Sequence, residues 1–385
     1  MMLELSDRFP QGVGLYNPLV KSSDELVVKM RRIAVSALGR MYQPQKGMFV
    51  FRGKKGVNGI IYEGLSRRYT AIVLIALAGE NSDVSEAVLC GQAPDNVCRR
   101  LVHSVLSAPS VGDTALTLWA CCALNISDRP RIRETLRGLL QRGGRCPTVD
   151  ASWALKAFCV DGNAEVGDMR ERLAERLMSA FNLEAAIFPH FIGNDRSFRD
   201  HVSCFADQVY PIQALSAYHH WSANKRALEV ASRCAEKICE LQGTGGQWWW
   251  HYDRRTGKVV EGYPVYSVHQ DAMAPMALFD LRRSGGPDHS AAIAKGLSWM
   301  LNAPEINCSL IDQTHCAIWR KVDRRGPRKL CRYLKAAASR IHASFRVFWI
   351  DRLFQPVVVD YECRPYHLAW LLYAWPNTRP YGGKR

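Results

Sequence analysis

A segment shape that recurs six times constrains this chain more than any other feature. Each copy has a polar or aromatic start followed by an apolar helix rich in Ala and Leu. The copies read RRYTAIVLIALAG from Arg67, GDTALTLWACCAL from Gly112, VDASWALKAFCV from Val149, ADQVYPIQALSAYHHW from Ala206, SVHQDAMAPMALFDL from Ser267 and CRPYHLAWLLYAW from Cys363. They are apolar nearly all round, the mark of a fully buried helix. Between them, Arg131 to Gln141, Met169 to Ala180, Lys225 to Leu241 and Ser290 to Leu301 repeat apolar residues at three and four with charge between. That is the pattern of a helix with one buried stripe and one wet face. Six buried helices alternating with wet-faced ones predict an inner ring inside an outer ring. The expected fold is an all-α (α/α)6 toroid of helical hairpins, one domain over residues 1–385. An open helical solenoid would use a similar pattern.

The inner helices of such a ring point their starts toward one end, where the residues there converge on a cavity. Four starts carry an acidic residue: Asp113, Asp150, Asp207 and Asp271. Asp at a helix start also caps it, by accepting orphan backbone N–H bonds at the positive end of the dipole. Four at one mouth would equally form a ring of carboxylates, and paired carboxylates at the proper separation suit glycoside hydrolysis. The densest constellation is Tyr263, Tyr266, His269, Gln270 and Asp271. A His beside a carboxylate can serve as general acid or base near neutral pH, and a hydrogen-bonded structural pair would use the same residues. Asp207, Gln208 and Tyr210 repeat the arrangement on the preceding inner helix. Arg68, Tyr69, Arg364, Tyr366 and His367 stand at the first and last inner starts, which are neighbours if the ring closes. Two Arg side by side there would recognise a carboxylate or phosphate.

Two long connections break the rhythm. Asn182 to Cys204 carries Phe188, Pro189, His190, Phe191 and Asp195; Gly243 to Tyr266 carries QWWWHYDRRTGKVVEGYPVY. Long aromatic loops in a compact domain are functional more often than disordered, so these two are expected to wall the site. Trp248, Trp249, Trp250, His251 and Tyr252 follow two glycines and precede a turn at Asp253 to Gly257, which reads as a hairpin or extended loop. Successive side chains of an extended strand face opposite ways, so at most two of the three Trp can face one pocket. They either clamp outer helices or stack on a ligand, with His251 among the residues that would touch it.

Hydrophobic residues make up 48% and charged residues 23%, which excludes a largely disordered or collagen-like chain. No run of apolar residues is long enough to span a bilayer, and the first ten residues lack a signal-peptide pattern, so a cytoplasmic protein is expected. Thirteen cysteines, an odd number scattered over a long chain, read as reduced core thiols. The formal charge is +15, and Arg320 to Arg346 holds ten Lys or Arg against the single acid Asp323. This basic insertion is either a solvated segment or a surface for phosphates or the inner face of an anionic membrane; nucleic acid is not an expected partner. There is no Walker loop, Rossmann fingerprint, HEXXH or CXXC, and Ser66 in GLSRR lacks the G-X-S-X-G elbow. His315 and Cys316 make a lone pair that would need further ligands to hold zinc. Neither a cofactor nor a metal is expected.

The inner-helix starts and the GGQWWWHYD loop resemble two α/α-barrel groups. One is the six-hairpin glycosidase and sugar-epimerase group, including N-acylglucosamine 2-epimerases and unsaturated glucuronyl hydrolases. That group places aromatics, His and acids at inner-helix ends, as do ADQVYPIQAL, GYPVYSVHQDAMAPMAL and RPYHLAW here. The other is the terpene cyclase and prenyltransferase group: SVGDTALTLWACCAL resembles a D-X-D-D-T-A segment, with Asp113, Thr114 and Ala115 on its last three positions. Ser110 and Gly112 stand where that segment has its other two acids, and LQGTGGQWWW resembles a Q-and-W repeat that occurs once. The first resemblance implies an enzyme on a carbohydrate or glycoconjugate, of hydrolase, lyase or epimerase type. Asp207, His269 and Asp271 are then the acid/base candidates, and Trp248, Trp250, Tyr263 and Tyr266 the stacking candidates. The second implies an isoprenoid diphosphate substrate; a third expectation is a non-catalytic helical scaffold for a peptide or partner protein.

Overall fold

The computed structural model describes residues 18–193, 197–342 and 347–376; Asp195 and Arg346 lie outside the described residues. In chain order the α-helices are α1 (Pro18–Met41), α2 (Arg67–Leu77), α3 (Ser82–Leu89), α4 (Pro94–Ser107), α5 (Val111–Ala123), α6 (Arg129–Gln141), α7 (Thr148–Asp161), α8 (Gly167–Ala180), α9 (Ala206–Ser222), α10 (Lys225–Glu240), α11 (Ala274–Arg283), α12 (Ser290–Leu301), α13 (Arg328–Ile341), α14 (Phe348–Leu353) and α15 (Pro365–Ala374). A wide π turn over His269–Met273 leads into α11.

Each recurrent apolar segment is an inner helix. The ring runs α2, α5, α7, α9, α11 and α15, and α15 packs back on α2, so it closes and is not an open solenoid. In α2 every residue from Tyr69 to Leu77 is buried, because neighbouring inner helices cover its sides and outer helices its back. Truncating one such Leu to Ala would cost about 2–5 kcal/mol. The outer helices are α1, α4, α6, α8, α10 and α12. Helix α10 shows why they lie outside: it buries Ala227, Val230, Ala231, Cys234, Ala235 and Ile238, a stripe at spacings of three and four, and its charged residues face away. Asn224 starts it by accepting the Ala227 N–H. All thirteen cysteines are free thiols.

The connections at the mouth end fold into small antiparallel sheets. Val202–Cys204 pairs with His251–Asp253, which pairs with Val259–Glu261, so the second long connection is a hairpin zipped onto the first. Val265–Tyr266 pairs with Lys321–Asp323, which pairs with Val358–Asp360. That sheet fastens the basic insertion over the same end of the ring.

Most charges of the insertion are neutralised inside the fold. Arg324 pairs with the fully buried Glu261, Lys321 with Asp323, Lys335 with Asp351, Arg328 with Asp323, Arg320 with Glu362, and Arg340 with Asp200. The excess that composition shows is therefore left to few side chains.

Candidate active site

The starts of the inner helices converge on a cavity of about 270 Å³. Its wall comprises Arg68, Tyr69 and Ile72 from α2, Val149 and Trp153 from α7, Ala206 and Tyr210 from α9, His269 and Met273 from the π turn, and Tyr366 from α15. Trp250, Tyr266 and Arg320 complete it from the connections. The wall is aromatic but wet, with two guanidinium groups, an imidazole and several phenol hydroxyls.

Arg68 joins this cavity to two carboxylates. Its Nε donates to Asp113 Oδ1 at 2.9 Å, and its Nη2 lies 3.8 Å from Asp150 Oδ1. Arg67 reaches the other side of Asp113, at 3.5 Å. Asp113 is not a helix cap, because Ser110 accepts the Asp113 N–H and fills that role. Gly112 makes the approach of α5 to α7 feasible: a Cβ there would meet Asp150 Oδ1 at 2.5 Å and Arg68 Nη2 at 2.6 Å. Burial pushes the Asp150 carboxyl up from the usual carboxylate range; Arg68 opposes this and Asp113 adds to it. Asp150 thus lies beside an acid that two guanidinium groups contact.

The other two acids at inner starts are fully buried. Asp207 accepts the Cys204 N–H at 2.7 Å and lies 2.9 Å from His190 Nδ1, bracing the first connection. Asp271 lies 2.8 Å from His367 Nε2 and ties the π turn to α15. Two glutamines do the matching work on the loops. Gln208 accepts from Phe188 N at 2.8 Å, and Gln270 accepts from Trp248 N at 3.2 Å, so each long connection is pinned to the inner helix beside it.

His269 faces the cavity with its ring against Phe205 and Tyr266, at 4.4 and 5.0 Å between centroids. Burial lowers its pKa to about 3, so the ring is neutral at physiological pH, and among the described residues its Nδ1 has no hydrogen-bond partner. Burial also raises the Tyr266 phenol. Of the three Trp, only Trp250 lines the cavity; Trp248 is fully buried against Phe205, and Trp249 packs edge-on to Tyr263. Tyr263 donates to Glu305 at 2.9 Å, outside the cavity wall. Arg364 pairs with Glu362 and donates to Tyr69 Oη at 3.0 Å, while Tyr69 and Tyr366 lie 4.9 Å apart. The first and last starts are thus neighbours, yet Arg68 and Arg364 hold different acids.

Tyr210, expected beside Asp207 and Gln208, lines the cavity, and so do Trp153 and Arg320, which no motif marks. Trp153 and Tyr210 each stand three residues after an inner-start Asp, so i, i+3 spacing from Asp150 and Asp207 is the signal that finds them. Arg320 comes from a distant segment and has no local signal.

Among the described residues one group of three has the spacing of metal ligands: His190 Nδ1, Cys204 Sγ and the Asp207 carboxylate, within 4.8 Å of one another. Asp207 already bonds both neighbours, and burial, with Asp207 beside it, holds the Cys204 thiol well above its usual range.

No protein-family model matches this sequence, and no curated protein matches it by sequence. Solved structures do match. An unsaturated glucuronyl hydrolase specific for heparin superposes with a TM-score of 0.56 at 13% identity, over 92% of this chain and 95% of that one. Cellobiose 2-epimerase from Bacillus thermoamylovorans B4167 gives 0.58 at 10% identity, over 92% and 99%. An unsaturated glucuronyl hydrolase from Bacillus sp. GL1, described as responsible for the degradation of glycosaminoglycan, gives 0.55 at 12%, over 91% and 95%. At such identities the likeness is one of fold. The chain shares with these structures the fold of a closed α/α toroid.

Proposed function

We propose that this protein is an enzyme acting on a carbohydrate or glycoconjugate bound in the central cavity, with Asp150 as proton donor and Asp113 as its partner carboxylate. The observation that carries the reading is the sharing by these two carboxylates of Arg68, which lines an aromatic and arginine-rich cavity. The fold it has in common with sugar hydrolases and epimerases supports the substrate class. In this reading a sugar ring stacks on Trp250 or Trp153, Arg68 and Arg320 orient its polar groups, and neutral His269 offers a hydrogen bond from the cavity floor. Asp207, Asp271, Gln270 and His367 hold the helix starts and loops in place. The apolar chain of an isoprenoid would suit a cavity with fewer hydroxyl groups in its wall. Incubation with aryl glycosides, unsaturated uronides, reducing disaccharides and polyprenyl diphosphates tests this. Turnover within the sugar panel is expected; turnover of a prenyl substrate alone contradicts it.

The insertion adds a peripheral membrane contact to the reading. Helix α13 exposes Leu330, Tyr333, Leu334 and Ile341 at helical spacing, α14 exposes Trp349 and Leu353, and Arg325 and Arg352 flank them. Apolar and aromatic side chains edged by cations suit an anionic lipid interface. No helix among the described residues is long and apolar enough to cross a membrane. Salt-sensitive flotation with phosphatidylglycerol vesicles, lost in Trp349→Ser/Leu353→Ser, is expected; absence of flotation contradicts the contact.

A further inference from the structure

Beside the central cavity lies a second one of about 460 Å³, and Trp250 lines both. Arg199 reaches the side cavity from the first long connection, and Lys329 and Arg332 reach it from the beginning of α13. None of the described residues lining it is a carboxylate. Arg320, Lys321, Arg324, Arg328, Lys335 and Arg340 of the insertion are held by acids, but Arg199, Lys329 and Arg332 make no ion pair among the described residues. Arg332 lies 4.8 Å over the Trp250 ring, Arg199 lies 5.3 Å over Tyr333, and among the described residues the buried Nε of Arg199 has no hydrogen-bond partner. His251, stacked on Trp250 at 3.9 Å, is held well below the usual histidine range, first by burial and then by Arg199 and Arg332. The imidazole therefore stays neutral and registers a positive field.

Three cations line this recess with aromatic walls, and among its described lining residues there is no acid to meet them. Two guanidinium groups match a tetrahedral oxyanion, which accepts paired N–H bonds, and the ammonium adds a point charge. We propose that the side cavity binds a phosphate or sulfate ester carried by the substrate, beside the sugar ring held on the other side of Trp250. This rests on the reading of the central cavity as a sugar site. Trp250 then separates two subsites, one for the reacting ring and one for the charged substituent, and Arg332 joins them by covering its face. The enzyme would select glycans esterified next to the reacting residue.

Calorimetric titration of the full chain with inorganic phosphate, inorganic sulfate and acetate at constant ionic strength tests the site without any turnover. Phosphate and sulfate are expected to bind at least about tenfold more tightly than acetate. The Arg199→Gln/Arg332→Gln variant should lose about tenfold or more while keeping its thermal midpoint, and Lys329→Gln should lose less. Equal binding of all three anions, or binding unchanged in the double variant, overturns the proposal. Matched substrates with and without a phosphate or sulfate ester then tell the two esters apart through kcat/KM. Specific anion binding in a protein that turns over no sugar supports the site while the sugar reading fails. Equal turnover of esterified and neutral sugars with no specific anion binding does the reverse.

Discussion

His367 Nε2 lies 2.8 and 2.9 Å from the two carboxylate oxygens of Asp271, and this buried pair fastens the last inner helix to the turn that opens the fifth. Asp271→Ala leaves a buried imidazole without its partner and should cost about 2–4 kcal/mol in urea unfolding. Asp271→Asn keeps an acceptor in place and should cost about 1 kcal/mol. Because both groups are buried and engaged with each other, the Asn variant should turn substrate over at close to the wild-type rate. A folded Asp271→Asn protein with no activity would move Asp271 from support into chemistry.

A second buried pair anchors the insertion. Arg324 Nη2 donates to Glu261 Oε1 at 2.8 Å, its guanidinium lies 5.1 Å over Tyr263, and both charged groups are almost fully enclosed. Arg324 also holds Asp351, and Lys335 lies 3.6 Å from Glu261, so removing one partner weakens a network without stranding a charge, and Glu261→Gln or Arg324→Met should destabilise by about 1.5–3 kcal/mol. Trypsin should then cut between residues 325 and 340 before the ring unfolds. The Glu261→Leu/Arg324→Met double variant should recover much of the loss, because an apolar pair leaves no buried charge.

Two buried histidines set the acid limb of stability. The pKa of His269 is lowered to about 3, and that of His251 lies well below its usual value, in both cases chiefly by burial. Both stay neutral in the folded chain while the unfolded chain takes up protons as pH falls through about 6.5. Stability is therefore complete above that pH and lost below it, by about 1.4 kcal/mol per pH unit for each ring. His269→Gln should shrink the loss between pH 7 and pH 5 by about 2 kcal/mol in urea titrations. Identical pH slopes in variant and wild type would contradict the assignment.

The ring was legible because a helix apolar on every side has no alternative to enclosure, and six of them alternating with striped helices have few ways to pack. The mouth was legible in part. The acid residues at the starts are side chains of the inner end, but whether each turns to solvent, to a cap or to a partner depends on neighbours from 3 to 96 residues away that the helical pattern does not place. Ser110 releases Asp113 from capping, while the Cys204 N–H and His190 engage Asp207. The Trp run was open for the same reason: Gln270 holds Trp248 inward, and the strand that begins at His251 leaves Trp250 at the wall. The charge of the insertion misled on its own, since Glu261, Asp351 and Asp360 come from outside the basic window and neutralise much of it.

Activity and thermal stability of Asp150→Asn, measured together, test the central claim most directly. Burial raises the Asp150 pKa, so the fold opposes its ionisation, and whatever stability this group contributes is lost as pH rises through the raised value. The Asn variant should accordingly melt at or above the wild-type temperature at pH 7. Its turnover of the sugar substrate should fall by about a hundredfold to ten-thousandfold, and the wild-type rate should decline on the alkaline side as Asp150 ionises. Full activity in both Asp150→Asn and Asp113→Asn would contradict the account.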